Sequence, residues 1–98
     1  MAKYKILYWH DIPSQVRATD ENGRVGKKLP ERFQLAIDEA AMKAGLTGDD
    51  NYTAGFQWSD EEERVGTAED VAEAIIAELD EKIPEIDWQA TARRLKNK

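Results

Sequence analysis

Hydrophobic and polar positions alternate in the first twenty residues of the chain, then change to a helical period. Tyr4, Ile6 and Tyr8 fall on one side of an extended segment, and Lys5, Leu7 and Trp9 on the other. Both sides carry apolar bulk, which predicts a central strand. Pro13 cannot donate to a ladder, so a corner is expected there. A second strand is predicted over about Ser14–Thr19. Asn22-Gly23 separates it from a Lys-rich segment, Arg24–Lys28. That dipeptide between strand-like runs predicts a hairpin, and the charges suit an edge strand.

From Pro30 the period lengthens. Phe33, Ala36, Ile37, Ala40 and Ala44 recur at helical spacing, and Gly45 follows, so a helix is predicted over about Pro30–Ala44. Thr47-Gly48-Asp49-Asp50-Asn51 reads as a loop. Thr53–Ser59 reads as a fourth strand, and Asp60–Glu63 as a turn or a charged extension of it. Thr67-Ala68-Glu69-Asp70 is the acidic form of a capping box. It opens a second helix with the stripe Val71, Ile75, Leu79 and Ile83, closed by Pro84. Asp87 would cap a short third helix, with Trp88, Ala92 and Leu95 on one side and Arg93, Arg94, Lys96 and Lys98 toward its end. The predicted fold class is α+β. It is a mainly antiparallel four-stranded sheet in the order β-β-β-α-β-α, with two helices packed on one face and a short C-terminal helix. Residues 1–83 form the single domain, and residues 84–98 the helix and tail.

Composition narrows the chemistry. The 98 residues suit one domain, and cysteine is absent, which removes disulfides, thiolate nucleophiles and thiolate metal ligands. No apolar run resembles a signal peptide or a membrane span, so the expected compartment is the cytoplasm and no membrane partner is expected. The net charge is −6. Residues 1–48 contribute +2 and residues 49–98 contribute −8. A field of that sign repels nucleic acid, so no nucleic-acid partner is expected.

No catalytic set emerges. His10, the sole histidine, precedes Asp11, and strand neighbours point to opposite faces, so a corner stabilised by Asp11 bonding to nearby backbone N–H groups is preferred over an acid–base pair. One histidine makes no ordinary zinc site. The Asp49–Asn51 segment lacks the ligand alternation of a calcium loop. Gly23–Lys28 lacks a P-loop ending. Neither an enzyme nor a cofactor is expected. The aromatic residues exceed what one covered sheet face needs, so either some of Tyr8, Trp9, Trp58 and Trp88 form a contact surface, or Trp88 and its short helix cover them. The binding candidates are Trp9, His10, Asp11, Gln15, Arg17, Arg32 and Trp58.

Two strings carry a family likeness. Tyr8-Trp9-x-Asp11-Ile12-Pro13-x-Gln15-Val16 is followed by Leu29-Pro30-Glu31-Arg32-Phe33-Gln34-x-Ala36-Ile37-Asp38-x-Ala40-Ala41-Met42. Together they resemble a short bacterial family labelled "virulence factor" domain, after the conserved virulence factor C protein in which it accompanies other modules. The likeness covers about residues 4–80. It implies a small domain, stand-alone or appended, of uncharacterised role. The family commonly has a basic residue where this chain has His10, which implies no catalytic use of that histidine. The reading that follows is a non-catalytic module. It would bind a protein partner through the corner Trp9–Gln15 and the open sheet face, with the acidic second half steering a basic partner. The alternative is a small-ligand or enzyme-accessory domain, in which Arg17 and Arg32 hold an anion. A homodimer through the third helix or the uncovered sheet is compatible with either.

Overall fold

The first strand is the axis of the sheet. In the computed structural model, which describes residues 1–46 and 49–96, β1 (Ala2–Trp9) pairs antiparallel with β2 (Ile12–Asp20). β2 pairs in turn with β3 (Gly23–Lys28), which forms one edge. The other side of β1 meets two short strands. β4 (Phe56–Trp58) lies opposite Leu7–Trp9, and β5 (Glu62–Arg64) opposite Ala2–Tyr4. These are two parts of one interrupted edge. Ser59 fills the break: its N–H donates to the Ile6 carbonyl at 2.8 Å, and its Oγ accepts from Ile6 N–H at 2.9 Å. The acidic segment after Trp58 is therefore a charged strand extension.

Among the described residues, four helices accompany the sheet: α1 (Glu31–Ala44), a short α2 (Asp49–Thr53), α3 (Ala68–Lys82) and α4 (Trp88–Lys96). The fold is α+β as predicted. Two elements differ in detail. The expected fourth strand begins at Phe56, because Asp49–Thr53 is helical. The expected loop over residues 47–51 is helical from Asp49 onward; its Thr47 and Gly48 lie outside the described residues, as does Lys98 of the basic C-terminal end.

The corner is also placed differently. The chain reverses at His10-Asp11, since Trp9 pairs with Ile12. His10 takes φ 57°, in the left-handed region that a tight hairpin turn requires and that histidine tolerates better than most residues. Pro13 lies inside β2, opposite Tyr8. It costs no ladder bond toward β3, because pairing with β3 begins only at Gln15. The β1–β2 register shifts between Leu7 and Tyr8, where β2 has one extra residue. Such a bulge sharpens the local twist and bends the corner.

Two connected clusters form the interior. Under α3, the sheet residues Ala2, Val16 and Ala18 pack on Ala68, Val71, Ala72 and Ile75. At the corner, Trp9, Ile12 and Leu29 pack on Phe33, Ala36, Ile37, Ala40 and Ala41 of α1 and Ala92 of α4. Ile76 and Leu79 touch both clusters and join them.

Local caps and one long-range contact anchor the helix ends. Gly45 takes φ 77° and closes α1, with Leu46 N–H donating to the Ala41 carbonyl at 2.8 Å. Thr67 caps α3 through Asp70 N–H, as its capping box predicts. Asp20 adds a second cap from the β2–β3 turn. Its carboxylate accepts from Ala68 N–H at 2.7 Å and from Asn22 and Gly23 N–H. Those backbone donors hold the Asp20 carboxyl below the usual range. Asp87 caps α4 through Ala90 N–H.

Candidate functional site

The sheet residues that do not face α3 alternate along each strand: Lys3, Lys5 and Leu7 on β1; Gln15, Arg17 and Thr19 on β2; Arg24, Gly26 and Lys28 on β3; Trp58 on β4. The pairing register sets them side by side. Lys3 lies opposite Thr19, Lys5 opposite Arg17, and Leu7 opposite both Gln15 and Trp58. Arg17 lies opposite Gly26, Thr19 opposite Arg24, and Gln15 opposite Lys28. All of them are exposed except Leu7 and Gln15, which are half-buried. This face is open to solvent.

Its charge opposes that of the chain. Lys3, Lys5, Arg17, Arg24 and Lys28 share the face with Glu63, opposite Lys3, and with Glu61, 4.0 Å from the Lys3 ammonium. Lys5, Arg17, Arg24 and Lys28 have no carboxylate partner among the described residues. Lys5 and Arg17 are cross-strand neighbours of like charge, an arrangement that destabilises a sheet. The Arg17 guanidinium lies over the Trp58 ring, 4.6 Å from its centroid, an attraction worth about 0.5–1 kcal/mol at an exposed site. Trp58 is 39% exposed. Gly26 leaves open space beside Arg17. The result is a shallow depression of about 340 Å³ lined by Lys3, Lys5, Arg17, Arg24 and Trp58. At its rim, Tyr4 donates its hydroxyl to Glu62 at 2.7 Å, and that bond raises the Tyr4 pKa.

Of the residues singled out from sequence, Arg17 and Trp58 meet here, with Gln15 at the margin. The others are elsewhere. Trp9 is fully buried, and its indole Nε1 donates to the Tyr52 carbonyl at 2.8 Å, so it is a core residue and offers no surface. The bulge and the α1 stripe explain the difference, since the bent corner closes over the ring. His10 packs edge-on against Trp9, and its backbone N–H donates to the Gly55 carbonyl at 3.0 Å. Asp11 accepts from Thr91 Oγ1 at 2.7 Å and from Arg94, both on α4, in place of the expected neighbouring backbone N–H groups. Arg32 closes the C-terminal end of α3: it pairs with Asp80 at 2.6 Å and donates to the Ile83 carbonyl at 2.6 Å and the Asp80 carbonyl at 3.0 Å. It is not positioned beside Arg17 to clasp an anion.

Lys3 and Lys5 escaped the sequence reading, and Arg24 and Lys28 entered it only as part of a basic edge strand. Their signal was a basic residue at every second position, and it becomes a patch only when register aligns three strands. Charge is segregated by face, whereas the sequence showed it only by halves. Among the described residues, no group of three or more His, Cys, Asp or Glu side chains is placed to hold a metal ion, and no helix is long and apolar enough to cross a membrane.

No curated protein and no solved structure matches the chain. The family model described as "Virulence factor" matches residues 7–90, spanning the corner, every helix in part or whole, and the open face of the sheet apart from Lys3 and Lys5. The chain belongs to the virulence factor family.

Proposed function

We propose that the chain is a non-catalytic interaction module that receives an acidic segment of a protein partner on its open sheet face. The observation that supports this reading is the cross-strand pair Lys5–Arg17, flanked by Arg24 and Lys28, in a chain of net charge −6. Like charges set directly opposite one another cost stability, and an anionic partner turns that cost into attraction. Trp58 supplies an apolar anchor beside the charges, as interface cores commonly do. Of the fourteen steering carboxylates invoked from sequence, six lie on α3 and off this face, so the favoured partner is acidic where a basic one was expected.

The depression around Arg17 and Trp58 supports a second reading, capture of a small anion. One titration addresses both. Trp58 fluorescence would be followed against a Glu-rich peptide containing one aromatic residue, against inorganic phosphate, and against single-stranded DNA. The intact protein would be compared with an Arg17→Glu, Arg24→Glu variant. The expected result is saturable peptide binding that weakens with salt and is lost in the variant. Saturation by phosphate alone would favour the small-anion reading. DNA binding without peptide binding, or peptide binding unchanged in the variant, would refute the proposed partner.

A further inference from the structure

β3 is an open edge of the sheet. Among the described residues it pairs with β2 alone, and it runs for six residues without a break. The opposite edge is split into β4 and β5, of three residues each. Leu29 N–H donates to the Ser14 carbonyl at 3.0 Å, one register step beyond the Lys28–Gln15 pair. Antiparallel bonding alternates, so Val25 and Lys27 also turn their backbone groups toward β2. Arg24, Gly26 and Lys28 turn theirs outward. Three N–H and three C=O groups therefore line the edge, with no strand beyond them among the described residues.

The side chains that flank this edge are sorted by face. Arg24 and Lys28 stand on the open face, and neither has a carboxylate partner among the described residues. Between them, Gly26 has nothing within 4 Å of where a Cβ would stand. On the other face, Val25 packs on the cluster under α3, and the Lys27 ammonium lies 3.1 Å from Glu73 and 3.8 Å from Glu69 of α3. Unpaired cations lie along one side of the edge, and α3 carboxylates along the other.

We infer that β3 takes up an extended segment of the acidic partner as an added strand. Backbone hydrogen bonds to the outward groups hold such a segment, and its alternate side chains meet two different surroundings. Carboxylates are attracted beside Arg24 and Lys28. At the positions between them, Glu69 and Glu73 repel carboxylates, and β-branched residues suit the neighbourhood of Val25. The segment is therefore acidic at every second residue rather than throughout. Basic residues on an edge ordinarily discourage pairing. Here they disfavour a second copy, since two β3 strands paired about Gly26 would set Arg24 opposite Lys28. An acidic strand meets no such repulsion. The inference rests on the acidic partner proposed above and adds the way in which that partner is held.

The test is amide hydrogen exchange of the full chain, read residue by residue by NMR, with and without a peptide that alternates Glu with Val and Thr. Calorimetry reads the binding itself. In the free protein the amides of Arg24, Gly26 and Lys28 are expected to exchange fast, and those of Val25 and Lys27 slowly. Saturating peptide should slow the first three. A peptide of the same composition with its Glu residues grouped should bind more weakly. Gly26→Pro removes one outward N–H and spares the ladder to β2, so it should keep its circular dichroism spectrum and lose peptide binding. Peptide binding that leaves those three amides fast overturns the inference and leaves the acidic partner standing. Binding unchanged in a folded Gly26→Pro variant does the same. Slowing of the three amides with rising protein concentration, without peptide, assigns the edge to a second copy and overturns it too. Absence of binding by either peptide refutes the acidic partner itself, and this inference with it.

Discussion

Trp9 and Trp58 lie on the same sheet, Trp9 two residues along β1 from Leu7, which pairs with Trp58, yet their substitution should have opposite consequences. Trp9 is fully buried, and an indole side chain hides about 200 Å². At about 25 cal/mol per Å², its burial is worth about 5 kcal/mol as an upper estimate. Truncation to alanine keeps only Cβ, leaves a cavity among Ile12, Phe33 and Ile37, and strips the Tyr52 carbonyl of its donor. Large-to-small changes of this kind cost about 3–5 kcal/mol. A domain of this size has about 5–15 kcal/mol in total, so Trp9→Ala should remove about a fifth or more of the stability. Its Tm should fall by about 12 °C or more, at about 4–8 °C per kcal/mol. Trp9→Phe, which keeps most of the ring but loses the N–H, should cost about 1–3 kcal/mol. Trp58→Ala loses a part-exposed ring and the Arg17 contact, about 1 kcal/mol or less. The assay is urea unfolding followed at 222 nm. A Trp9→Ala midpoint within error of the intact protein, or a larger loss for Trp58→Ala than for Trp9→Ala, would refute the assignment of core and surface.

Three further outcomes follow from the geometry. Gly55→Ala would place Cβ 2.6 Å from Trp9 Nε1 and 2.8 Å from His10 Nε2, so a loss of about 1–3 kcal/mol is expected in the same unfolding assay. Arg32→Ala should cost about 2–3 kcal/mol and fray the end of α3, visible as faster amide exchange at Leu79–Ile83, because its guanidinium holds two of the closing carbonyls. Arg32→Lys should not restore it, since a point charge cannot reproduce the fork. Asp20→Ala removes a cap whose carboxyl titrates lower in the folded chain than in the unfolded one. The stabilisation is present above the unfolded carboxyl value of about 3.9 and is lost as pH falls through the folded one. The stability gap between the intact protein and the variant should therefore be constant near neutrality and close as pH drops below about 4. A gap that widened on acidification would contradict the capping role.

Local rules read from the chain located most of the elements. The alternation at Tyr4–Trp9, Asn22-Gly23, Pro30, Gly45 and the Thr67 box each act within a few residues, so their consequences were legible without a fold. The α1 and α3 stripes gave the right buried faces for the same reason. The candidate site was only half legible. Arg17 and Trp58 were singled out, but Lys3, Lys5, Arg24 and Lys28 joined them only through the strand register, which is a relation between distant segments.

Tertiary structure decided the rest. One extra residue in β2 bent the corner and took Trp9 inside, where simple alternation placed it on the face with Leu7. In the sequence, Asp11 was expected to bond to nearby backbone N–H groups and Arg32 to hold an anion, and Asp20 carried no assignment. They are occupied by partners 80, 48 and 48 positions away: Thr91, Asp80 and Ala68. Period and capping depend on near neighbours and are written in the chain itself. Which charges remain unpaired, and which face they share, depends on segments that meet only when the chain is folded.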